Sequence, residues 1–126
     1  GSSFCPPKFF IPGARKGGTT SLFLYLRNHP DIAAPKEKEI HYFSMYYDKG
    51  IKFYQQFFPR KCLTKERSKI SGEASVSYLS SCEAPHRIYE TFPESKFIIL
   101  LRDPVLNFFR FFFFFLSFFN FIINNK

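Results

Sequence analysis

Two apolar runs without alternation, residues 9–11 and 96–101, bracket the patterned part of this chain. Unbroken apolar runs of this length read as strands buried on both faces. Between them the pattern changes period. Residues 20–28 carry a helical pattern that His29-Pro30-Asp31 stops, and residues 32–35 read as a short extended piece. Ile51, Tyr54, Phe57 and Phe58 fall at helical spacing before Pro59, which predicts a helix over 50–58. A short strand over 69–73 follows, then a helix over 85–92 with Pro85 near its first turn. Strands separated by helices require crossover connections, so the fold class is α/β with a mainly parallel sheet covered on both faces. Ligands of such sheets lie beyond the carboxyl ends of the strands, where residues 13–20, 73–75 and 102–103 all fall.

The pattern fails beyond residue 107. Residues 108–123 hold much of the chain's total of 20 Phe and show neither helical nor strand alternation. A membrane span needs roughly 20 apolar residues, and this run is shorter and interrupted by Arg110, Ser117 and Asn120. A buried helix with aromatic residues on every face is more than a domain of this size covers. Phe, Leu, Ser, Asn, Ile and Lys all have codons rich in T or A, so residues 107–126 read as translated noncoding sequence. The expected organisation is a lead-in over 1–8, a partial domain over 9–106 and this tail.

At 126 residues the chain is one domain at most, large enough for a core and short for a complete nucleotide-dependent enzyme. Its 18 Lys+Arg against 10 Asp+Glu suit an anionic ligand. Lys36, Lys38, Lys61, Lys65, Arg67 and Lys69 are scattered outside any nucleic-acid module, so no nucleic-acid partner is expected. Cys5, Cys62 and Cys82 lack Cys-x-x-Cys spacing, which argues against zinc and leaves one possible disulfide and a spare thiol. No signal peptide or membrane anchor is visible in this chain.

The candidate chemistry begins where the first strand breaks into Gly13-Ala14-Arg15-Lys16-Gly17-Gly18-Thr19-Thr20-Ser21. Glycines let main-chain N–H groups approach an anion, the following helix adds its positive dipole end, and Lys16 adds a full charge. The bland alternative is a glycine-rich strand-turn-helix corner. The spacing approaches that of the nucleoside-triphosphatase loop, but Thr19 stands where that loop needs lysine. An anionic nucleotide therefore fits better than ATP or GTP hydrolysis.

This loop, with Pro35-Lys-Glu-Lys-Glu39-Ile-His41-Tyr-Phe43, Gly72-Glu-Ala-Ser75-Val-Ser77-Tyr78 and Leu101-Arg102-Asp103-Pro104, resembles the sulfotransferases, above all the carbohydrate type related to heparan sulfate enzymes. The resemblance runs from Phe9 to Val105 and implies a P-loop-like three-layer fold with a central parallel sheet, here incomplete at the C-terminus. It implies 3′-phosphoadenosine 5′-phosphosulfate (PAPS) as sulfuryl donor, a carbohydrate hydroxyl or amine as acceptor, and no metal. Arg15, Lys16, Gly17, Gly18, Thr19, Thr20 and Ser21 would hold the phosphosulfate and Arg102 the 3′-phosphate. Lys16 would neutralise charge on the bridging oxygen as the bond to sulfur breaks. Glu39 matches the family's base, and His41 is the alternative. A charged surface turn for Glu37 and Glu39, and a strand-end salt bridge of Arg102 with Asp103 or Glu73, are the plainer readings. By resemblance the compartment is the Golgi lumen for a eukaryotic enzyme and the cytoplasm for a bacterial one.

The family's serine eight residues after the arginine is Arg110 here, and Asn107 stands where a basic or polar residue belongs. Without them and the remaining domain, this chain by itself is expected to be poorly active. A noncatalytic PAPS- or glycan-binding pseudoenzyme and a P-loop nucleotide kinase are the competing functions.

Overall fold

The structure, a computed structural model, describes residues 4–60, 62, 68–103 and 119–124. Strand β1 (Pro7–Ile11) pairs in parallel with β2 (Ser71–Ala74) on one side and β3 (Lys96–Leu101) on the other. An edge strand, β4 (Phe119–Asn124), runs antiparallel to β3, giving the sheet order β2-β1-β3-β4. The helices are α1 (Thr19–Arg27), α2 (Tyr42–Met45), α3 (Ile51–Gln55) and α4 (Ala84–Thr91), with short 3₁₀ turns at Tyr47–Lys49 and Val76–Tyr78.

Successive side chains of β1 point to opposite faces and divide the core in two. Phe9 and Ile11 pack with Phe23 of α1 and Ala74 of β2. Phe10 faces the other way, into a cluster with Tyr42, Phe43, Tyr54, Tyr78, Ile88 and Phe97. Helices thus cover both faces of the three parallel strands, the α/β layering that the alternating pattern predicts. The second cluster is mostly aromatic. Phe10 stacks on Phe97 at 5.8 Å and meets Phe43 edge-on at 5.9 Å, pairs worth about 1 kcal/mol each beyond their burial. A Cys5–Cys62 disulfide closes over this face and leaves Cys82 free and exposed. Linking residues 57 apart in sequence, it stabilises the fold by about 4 kcal/mol in the chain-entropy account.

The short extended piece expected over 32–35 makes a single parallel bridge, Ile32 to Ile70. Two expectations need correction. The helix expected over 50–58 keeps helical geometry only through Gln55 and ends in turns. In the Phe-rich region, where no regular element was expected, residues 119–124 form β4 along the open edge of β3. A hydrogen-bonding edge recruits any extended segment of adequate β propensity, and the window Phe-Asn-Phe-Ile-Ile-Asn qualifies where the longer run has no period. The other residues of 104–126, with Asn107 and Arg110, lie outside the described residues. No helix among the described residues is long and apolar enough to cross a membrane.

Candidate active site

All three parallel strands end at one edge, and the loop leaving β1 is built there from main chain. Leu100 donates its N–H to Gly13 O at 3.0 Å and accepts from Ala14 N–H at 2.7 Å. Gly17 N–H then closes on Ala14 O at 3.0 Å. Only glycine fits at 17, because a Cβ there would lie 2.9 Å from both Ala14 O and Leu100 O. Gly18, at φ 94°, turns the chain into α1 without a side-chain cap. The N–H groups of Thr19, Thr20 and Ser21 therefore open the helix with no carbonyl of their own to bond. Thr19 is buried and anchors the turn, whereas Arg15, Lys16, Thr20 and Ser21 are exposed around it. Arg102, at the end of β3, donates from Nη1 to Lys16 O at 3.4 Å. It sits beside the loop, whereas Glu73, one of the two salt-bridge partners considered, has both carboxylate oxygens on hydroxyls.

The segment 39–41 is laid across the end of β2. Glu39 donates its N–H to Ala74 O at 2.9 Å, and Ala74 is the register partner of Ile11, the last residue of β1. Glu39 Oε2 accepts from Val76 N–H at 3.0 Å and lies 3.4 Å from His41 Nε2, while Oε1 pairs with Lys38. His41 Nδ1 is 2.7 Å from Ser77 Oγ, itself 2.7 Å from Ser44 Oγ. The Nε2–H tautomer satisfies both ends, with its proton toward Glu39 and Nδ1 accepting from Ser77. Both residues remain partly exposed. The turn is held against its backbone preference: Lys16 (φ 56°), Glu39 (φ 61°) and His41 (φ 56°) are the non-glycine residues with positive φ among the described residues. Left-handed geometry outside glycine costs on the order of 1 kcal/mol per residue and concentrates at functional sites.

Beneath this turn lies a carboxylate that sequence reading gave only as part of a motif and as a possible partner of Arg102. Glu73 is fully buried on the Phe10 face of the sheet. Its Oε1 accepts from Tyr54 and Tyr78 hydroxyls, each at 2.8 Å, and its Oε2 from Ser75 Oγ at 2.8 Å. Burial pushes its carboxyl up to about 7 against the pull of these three hydroxyls, and the charge of Glu39 adds to the rise. Burial, then the neighbouring Glu73 charge, also drives the Tyr54 and Tyr78 phenols upward. The segment 72–78 was recognisable as a motif. Its polar cluster was not, because a glutamate in a four-residue strand shows no sign of which tyrosines fold over it.

No family model matches the chain. It is 41% identical over 105 residues to the membrane-associated sulfotransferase kil1 of Dictyostelium discoideum, covering 83% of this chain and 22% of that protein. It is 38% identical over 99 residues to heparan sulfate glucosamine 3-O-sulfotransferase 6 of Mus musculus, covering 79% of this chain and 28% of that protein. A crystal structure of a sulfotransferase from Alicyclobacillus acidocaldarius matches with a TM-score of 0.62 and 36% identity, over 82% of this chain and 47% of that one. The chain thus spans about a quarter of the length of these curated relatives and about half of the solved structure. Similarity in sequence and in fold, over four-fifths of this chain in both cases, leads to one conclusion: the chain belongs to the sulfotransferase family.

Proposed function

We propose that this segment supplies the donor loop and the base of an enzyme that transfers a sulfuryl group from PAPS to a carbohydrate hydroxyl or amine. The observation that carries this reading is the gathering of the left-handed residues Lys16, Glu39 and His41 at the carboxyl edge of the sheet. The start of α1 after Gly18 suits an oxyanion, since it carries no side-chain cap and its first N–H groups face outward from the helix end. There the N–H groups of Gly18, Thr19 and Thr20 would bind the 5′-phosphosulfate, and exposed Lys16 would offset charge on the leaving oxygen. Arg102, next to Lys16, would take the 3′-phosphate through its planar fork. On the acceptor side Glu39 would take the proton, and His41, bonded to it, would orient the carboxylate and share the charge. Sulfuryl transfer resembles phosphoryl transfer in relying on position and charge, and the sulfuryl group's lower charge lets it proceed without a divalent ion. The relatives named for heparan sulfate favour a glycan acceptor.

The test separates binding from transfer. In a protein carrying this segment with the rest of the domain, Glu39→Gln is expected to lower transfer to a heparan-type oligosaccharide by about 100-fold or more. Its affinity for adenosine 3′,5′-bisphosphate is expected to stay unchanged. Undiminished transfer would remove Glu39 as the base.

A further inference from the structure

We propose that Glu73 is a positioning residue, a buried carboxylate that holds the Glu39–His41 turn in place through two hydroxyls. The path is short and fully described. Ser75 Oγ donates to Glu73 Oε2 at 2.8 Å and, with its hydrogen so committed, accepts His41 N–H at 3.1 Å. Tyr78 OH donates to Glu73 Oε1 at 2.8 Å and accepts Phe43 N–H at 3.4 Å. A third hydroxyl, from Tyr54, completes the set on Oε1. Each hydroxyl has one hydrogen, so a carboxylate that accepts it fixes which way the lone pairs point. The main-chain N–H groups of residues 41 and 43 thereby depend on a group they never touch.

The arrangement is needed because the turn is strained. Glu39 and His41 both sit at positive φ, and such geometry persists only where surrounding bonds over-determine it. His41 N–H lies between the two strained residues and the helical turn of α2, and Ser75 is its acceptor. Ionisation matters as well as shape. Protonating Oε2 would make it a donor to Ser75 Oγ, turning the serine hydrogen away and reorienting the lone pairs that meet His41 N–H. The titratable groups facing Glu73 are Tyr54 from α3, Tyr78 from the 3₁₀ turn and Glu39 from the turn itself, with Tyr42 behind Tyr54. Of these, Glu39 acts on the Glu73 carboxyl through its charge, raising it. No ion pair holds Glu73 among the described residues, so its hold on the turn responds to pH.

This inference rests on the reading of Glu39 and His41 as the base and its neighbour. Its test reads main-chain protection and needs no turnover, so either can fail without the other. Amide hydrogen exchange, followed by NMR on the 126-residue chain, would compare the parent with Glu73→Gln and Ser75→Ala. In Glu73→Gln the side-chain amide donates to Ser75 where the carboxylate accepted. His41 and Phe43 amides are then expected to exchange about 10-fold faster, while Phe10 and Ile99 in the sheet keep their protection. In the parent, the amide shift of Phe43 should titrate with a midpoint at about 7, and Glu73→Gln should abolish it. Ser75→Ala should release His41 and leave Phe43 protected by Tyr78. Unchanged exchange at His41 and Phe43, or acceleration in step with Phe10 and Ile99, would overturn the proposal. Should Glu73→Gln not fold, Ser75→Ala decides alone: release of His41 with Phe43 protected supports the role, and any other pattern refutes it.

Discussion

The two halves of the site are held by opposite means. On the β1 side, residues 13–18 form a cradle from main chain, closed by Leu100 and Ala14 carbonyls, with charged side chains left free in solvent. On the β2 side, the Glu39–His41 turn is held mainly by side chains: Ser75, Ser77, Tyr78 and, beneath them, Glu73. Under the proposed function, the difference follows from what each would bind. An anion is met by N–H dipoles that need only a fixed backbone, whereas a base needs its carboxylate aimed and its protonation governed. A backbone cradle is contiguous in sequence. A buried polar network brings together residues more than thirty positions apart and depends on every member being satisfied.

The sharpest way to break this contrast is to put a side chain into the cradle. Gly17→Val drives a Cβ against two main-chain oxygens that cannot swing aside. It is expected to cost about 3 kcal/mol of stability in urea unfolding and to abolish adenosine 3′,5′-bisphosphate binding in calorimetry. Nearly as large is the pH response of the other half. Glu73 rises from 4.5 to about 7 on folding, so the folded state binds its proton more tightly than the unfolded chain. Its contribution is fully favourable below about 4.5 and fades as pH rises through about 7. Unfolding free energy should fall between pH 5 and 8 by on the order of 3 kcal/mol from this group, and Glu73→Gln should flatten that slope. Lys16→Ala should leave stability unchanged, the side chain being exposed, and weaken the bisphosphate by about 10-fold. The smallest effect belongs to Tyr54→Phe, which removes one of two hydroxyls on Glu73 Oε1 and should cost about 1 kcal/mol of stability with no effect on the bisphosphate.

What could be read in advance follows the same division. Strands β1 and β3 and helices α1 and α4 were legible because unbroken apolar runs, helical spacing and Pro85 are local signals. The glycine-rich turn between β1 and α1 was legible for the same reason, its glycines lying together in one stretch. Segment 39–41 could be placed only by resemblance. Its left-handed residues, and the serine hydroxyls 34 and 36 positions away that hold it, leave no periodic trace. Glu73 was hidden by its setting, since a lone carboxylate in a strand reads as exposed until Phe10 and two tyrosines are seen to enclose it. Residues 119–124 escaped because pairing with the edge of β3, rather than any period of their own, makes them a strand.

The central claim is that this chain carries a donor site for a 3′-phosphorylated adenosine nucleotide. A thermal-shift titration of the 126-residue chain with adenosine 3′,5′-bisphosphate, beside ATP with magnesium, tests it most directly. The account predicts a melting temperature that climbs with bisphosphate concentration and stays flat with ATP and magnesium. A rise with ATP and magnesium alone would contradict it.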